Sequence, residues 1–206
     1  MNTSLVPLDR HEELFVVQKK ELAELFGFET RNKYAIEAGG APVAFAAEQG
    51  KSLFGVLARM FLGHWRTFEI HVFDTNRTLW FKALHPFRFF FQRLEVAMAD
   101  GRVVGAIQQR FAMFSKRFDV IGAGGQVVLT VKSPIWKPWT FTFQSAGGAT
   151  EVAMVQKKWS GTLTEVFTDA DRFRVSFRPE LGLDERVLVL AASLFVDLVY
   201  FEAKAD

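Results

Sequence analysis

Between residues 34 and 177 the chain repeats one unit: an apolar or alternating run, a tight turn rich in Gly, Asp or Asn, and a second run. This is the signature of a β-hairpin. Five hairpins read directly: 34–48 turning at Gly39-Gly40, 68–85 at Asp74 to Asn76, 93–112 at Asp100-Gly101, 117–132 at Gly124-Gly125 and 140–159 at Gly147-Gly148. Runs 162–169 and 172–177 form a sixth pair. Ahead of them, Leu14 to Gln18 (LFVVQ) is a short β-prone run, and residues 19–26 can form a helical turn or two, stopped at Gly27. After residue 177 the pattern changes. From Asp184, a suitable N-cap, the stretch DERVLVLAASLFVDLVYF is apolar on every side of a helix and must be buried. Run to Phe201, that helix reaches about 25 Å at roughly 1.5 Å per residue, short of a hydrocarbon core of about 30 Å. It also carries Asp197, a charge that costs about 3 kcal/mol or more at a bilayer centre. The stretch therefore predicts a core helix, with Val187, Leu190, Leu194, Asp197 and Leu198 along its centre.

About twelve sequential antiparallel strands followed by one such helix predict a mainly β fold, a closed antiparallel barrel wrapped around a buried hydrophobic C-terminal helix. A barrel of that size is too wide for its own side chains to fill, and the helix supplies the plug. Strand parity then sorts the connections. In an up-and-down meander the turns inside hairpins lie at one end and the connections between hairpins at the other. The first set is short and polar. The second is aromatic and basic: GKSLFGVLARMFLGHWR (50–66), PFRFFFQR (86–93), MFSKR (113–117) and SPIWKPW (133–139). One rim is expected to gather Phe54, Phe61, Trp65, Phe87, Phe89, Phe90, Phe91, Phe114, Trp136 and Trp139 with Arg88, Arg93, Lys116, Arg117 and Lys137. Rings interleaved with Lys and Arg suit a membrane interface, where rings partition at headgroup depth and each cation near anionic lipid contributes about 1 kcal/mol.

Composition narrows the function. The 206 residues fit one domain, with residues 1–13 as an N-terminal tail and 184–202 as the central helix. A net charge of +2 is too small to argue for nucleic acid, so none is expected as a partner. The absence of cysteine removes disulfides, thiolate metal sites and S-acylation, and fits a cytoplasmic protein peripheral at the inner face of the membrane. The 23 Phe and 5 Trp exceed what one core needs, which leaves rings for a surface. His11, His64, His71 and His85 have no metal-binding spacing, and no nucleophile, Walker or dinucleotide motif is present, so an enzyme is not expected.

Several segments carry a family likeness: GFETRNKYAI (27–36), FAAE (45–48), HPFR (85–88), KKWSG (157–161), FTDAD (167–171) and LFVDLVYFE (194–202). In order and spacing they resemble the phospholipid scramblase family, which is similar to the tubby-like and LURP-one-related domains. The resemblance implies a twelve-stranded barrel around a C-terminal helix, association with phospholipid membranes and calcium-triggered lipid movement. These 206 residues contain neither the proline-rich nor the cysteine-rich, acylated segments of eukaryotic members, and exposed rings are expected to replace acyl chains as the anchor. The calcium segment of the family corresponds to residues 169–180, with Asp169, Asp171 and Glu180 at ligand positions 1, 3 and 12. Phe173 and Arg174 stand where a ligand and a glycine are needed, and Arg172, Arg174 and Arg178 add positive charge. Calcium is therefore implied by the family and opposed by the residues. The expected function is a scramblase-like, lipid-binding domain that meets an anionic phospholipid surface through its aromatic and basic rim. The alternative is a LURP-one-like barrel that binds a ligand or docks a protein partner at that rim.

Overall fold

The computed structural model describes residues 8–19, 32–49, 67–148, 150–158 and 172–201. Alternation is the local cause of the strands: in β4 (Phe68–Asp74) Phe68, Ile70 and Val72 point inward and are buried, while Glu69, His71 and Phe73 face outward. The same pattern builds β1 (Glu13–Gln18), β2 (Lys33–Ala38), β3 (Ala41–Glu48), β5 (Leu79–His85), β6 (Arg93–Met98) and β7 (Val103–Arg110). It continues through β8 (Ser115–Gly122), β9 (Val127–Pro134), β10 (Thr140–Ser145), β11 (Glu151–Lys158) and β12 (Arg172–Phe177). Each strand pairs antiparallel with its neighbours in sequence, and the sheet closes into a barrel of twelve strands. The β2–β3 turn shows why its residues are glycines. Gly39 and Gly40 adopt φ of +58° and +85°, the left-handed pair that a two-residue hairpin loop requires.

Closure corrects one expectation. Both edges of β12 are taken, one by β11 and the other by β1, with Leu14 opposite Val175 and Val16 opposite Phe173, while the expected partner run 162–169 lies outside the described residues. The lone N-terminal run completes the ring, because a barrel has no edge only if its first and last strands pair. The expected tail is also structured from Leu8, which is fully buried in a 3-10 turn (Leu8–Arg10).

The helix α1 (Leu183–Val196) fills the barrel, and every residue from Arg186 to Val196 is buried. It starts two residues earlier than the Asp184 cap implies. Gly182 is the N-cap, its backbone N–H donating to the Glu185 carboxylate at 3.0 Å. Asp184 instead accepts two bonds from the Arg102 guanidinium at 2.7 and 3.1 Å, which holds the helix entry to the β6–β7 turn. After Val196 the helix widens into a π-turn (Asp197–Phe201). Val187, Leu190, Leu194, Asp197 and Leu198 are all buried against the strands.

With the strands alternating in direction, the hairpin turns occupy the lower end, where α1 also begins. The connections between hairpins occupy the upper end, where the π-turn finishes. Arg186 seals the lower end. Its guanidinium, 2 % exposed, donates to the carbonyls of Leu8 (2.9 Å), His11 (2.8 Å), Arg178 (3.0 Å) and Leu181 (2.9 Å). Replacing it removes four hydrogen bonds at once, those to Leu8 and Leu181 being fully buried. Arg186→Met is expected to destabilise the protein by about 3 kcal/mol or more, measured by urea unfolding with an unchanged slope.

Candidate functional site

The upper rim begins with residues 86–92, the connection from β5 to β6. Its base is fixed from inside the barrel. His85, fully buried, stacks on Phe68 with ring centroids 4.5 Å apart, and its Nε2 lies 2.8 Å from Gln92 Oε1. The Gln92 N–H donates to Gln109 Oε1 at 2.9 Å, and Gln109 Nε2 donates to the Tyr200 hydroxyl at 2.8 Å. Gln108 Nε2 donates to the Phe91 carbonyl at 2.9 Å. These bonds hold Phe91 in the left-handed region at φ +52°, a conformation that a bulky side chain adopts only when its surroundings impose it, at about 1–3 kcal/mol. The strained loop presents Phe89, Phe90 and Phe91 outward, Phe90 being 80 % exposed.

The floor of the rim is the end of the helix. Tyr34 Oη donates to Asp197 Oδ2 at 2.7 Å, which gives the buried carboxylate a strand partner and anchors the start of the π-turn. That turn places Tyr200 and Phe201 at the mouth. Phe201 stacks on Trp139 at 5.0 Å, and the Lys157 and Lys116 ammonium groups lie 4.5 Å from the Phe201 ring and 4.4 Å from the Tyr200 ring. Both cations sit where the helix dipole is negative, so ring and dipole attract them together. Burial pushes the Tyr200 phenol up to about 12, against the opposing bond from Gln109. A cleft of about 490 Å³ opens between residues 89–92, the β7–β8 corner, Lys116, Arg117 and the helix end at Val199 and Tyr200.

Of the rim residues that the sequence suggests, Phe87, Phe89, Phe90, Phe91, Phe114 and Trp136 are exposed at this end together, as are Arg88, Arg117 and Lys137. Arg93 is turned to Glu95 (2.9 Å) and Gln108 (3.3 Å), Lys116 leans over the rings, and Trp139 is half-buried against Phe201 instead of being presented. Phe54, Phe61 and Trp65 lie outside the described residues. Phe111, Met113 and Ile135 join the exposed set, although Phe111 reads in the sequence as a strand end. Eleven large apolar side chains are exposed among the described residues, and all but Val103 and Leu183 are on this rim.

The calcium positions are placed only in part. Asp169 and Asp171 lie outside the described residues, and Glu180 is exposed at the lower end, beyond the far end of β12. Among the described residues no group of three His, Asp or Glu side chains converges on a metal-sized site, and no helix is long and apolar enough to cross a membrane.

Fold and rim together define a plugged β-barrel with one amphipathic mouth. A Scramblase family model matches residues 1–203, and the chain belongs to that family. It is 29 % identical over 205 residues to mouse phospholipid scramblase 1, covering 93 % of this chain and 61 % of that protein. Bovine phospholipid scramblase 2 is 27 % identical over 209 residues, covering 95 % of this chain and 70 % of that protein. The chain thus spans about six-tenths of the length of the mouse and rat relatives, 61 % in each case. A solved Arabidopsis thaliana protein shares the fold, with a TM-score of 0.52 at 11 % identity, covering 90 % of this chain and 91 % of that one.

The Tyr200 environment has a measurable consequence. The folded protein holds the phenolic proton up to about pH 12, whereas the unfolded chain releases it near 10, so this contribution to stability is complete below 10 and declines as pH rises toward 12. Spectrophotometric titration is expected to show a tyrosine ionising near 12, and Tyr200→Phe is expected to remove that step.

Proposed function

We propose that the protein binds the surface of anionic phospholipid membranes peripherally, through the upper rim, as a scramblase-like lipid-binding domain. The observation that carries this reading is the segregation of exposed rings. Phe87, Phe89, Phe90, Phe91, Phe111, Phe114 and Trp136 gather at the end of the barrel that also exposes Arg88, Arg117 and Lys137. Rings at headgroup depth lose contact with water, and the neighbouring cations meet lipid phosphates, so the two terms act in one docking geometry. The named relatives are phospholipid scramblases, which supports a phospholipid as the partner. Calcium is not required in this reading, because the rim supplies its own positive charge. The reading implies the cytoplasmic face of the membrane, where anionic headgroups concentrate.

Co-sedimentation with vesicles tests it. Binding is expected to phosphatidylcholine vesicles containing phosphatidylserine, to weaken as salt is raised, and to be unchanged by EDTA. Replacing Phe89, Phe90 and Phe91 together by Ser is expected to lower vesicle affinity at least about tenfold while leaving Tm within a few degrees, since these rings contact solvent and not the core. Wild-type protein that stays in the supernatant with both vesicle types contradicts the proposal and favours a protein partner on the same rim.

A further inference from the structure

The cleft beneath the rim has features that surface adsorption does not need. Its volume of about 490 Å³ falls within the roughly 300–1,000 Å³ of small-molecule sites, and such sites pair apolar walls with a few converging polar groups. Phe89, Phe91 and Phe111 line the cleft together with Lys116, Arg117 and Tyr200. Two of these polar groups have unused capacity. Arg117 is exposed, and no anion pairs with it among the described residues. The Tyr200 hydroxyl accepts from Gln109 at 2.8 Å, and its own proton has no acceptor among the described residues. An O–H donor on the cleft floor beside two cations calls for an oxyanion. The aromatic lining calls for a hydrocarbon chain. A free inorganic ion uses only one half of the cleft and a neutral hydrocarbon only the other.

We propose that this cleft is a subsite for one individual anionic phospholipid, its phosphate against Tyr200 Oη, Lys116 and Arg117 and one acyl chain along Phe91 and Phe111. The inference deepens the membrane-binding reading and rests on it. It makes the rim a place where a single lipid leaves the bilayer plane and is held at the end of the central helix.

Isothermal titration of the full chain with dihexanoylphosphatidate, kept below its micelle concentration, tests the proposal. Saturable one-to-one binding is expected. Tyr200→Phe and Arg117→Gln are each expected to weaken it about tenfold, the loss of one charge-assisted hydrogen bond. Inorganic phosphate is expected to bind far more weakly. Absence of saturation, equal affinity for inorganic phosphate, or insensitivity to both substitutions overturns the subsite. Should Tyr200→Phe fail to fold, Arg117→Gln carries the decision, because that side chain is exposed. Vesicle sedimentation run in parallel separates the two levels: wild-type protein that sediments but does not titrate loses the subsite and keeps the rim, and protein that does neither loses both.

Discussion

A helix apolar on all sides has to be surrounded, and in this fold that single demand dictates the rest. A sheet can surround a helix only by closing on itself, and closure here is the pairing of β1 with β12, Leu14 against Val175 and Val16 against Phe173. Without those bonds the sheet has two edges and α1 has an open side. With them, the strands alternate around the ring, the turns divide into two ends, and the helix acquires a direction from the lower end to the upper. Which end of the molecule carries the exposed rings follows from the closure and not from any local motif.

Much of this was legible in the sequence, and the reasons for the exceptions are physical. Five hairpins and the plug announce themselves because period-two alternation and all-round hydrophobicity are local patterns. The closing strand does not, since beside β2 its second partner is β12, which is reached only through the whole barrel. Asp184 has the residue type of an N-cap, yet Arg102, distant in sequence, claims its carboxylate, so Gly182 and Glu185 cap the helix by another route. The π-turn has no sequence signature, although it decides where Tyr200 and Phe201 sit. Within SPIWKPW the spacing cannot say which tryptophan faces out. Trp136 is 74 % exposed and Trp139 stacks on Phe201.

The two ends of the barrel are built on opposite principles. At the lower end Arg186 satisfies four carbonyls and Arg102 grips Asp184, polar ties that fix where the helix begins. At the upper end the helix meets rings and lysines, and the hydrogen-bonded run from His85 through Gln92 and Gln109 to Tyr200 links the barrel interior to the exposed phenylalanines. The left-handed Phe91 belongs to that run: local strain is accepted where the loop must aim its rings away from the sheet.

The order of the chain gives this architecture a history. The closing strand is synthesised first, its partner and the plug last, and the contacts that join them, such as Tyr34 to Asp197 and Arg186 to Leu8, cross 163 and 178 residues. Nascent hairpins emerging from the ribosome have no core to pack against until the final segment arrives. Folding is therefore late and governed by long-range contacts, a slow regime in which unpaired strand edges stay exposed. During that interval the phenylalanines are a hazard to the chain, open to chaperones and to its own copies.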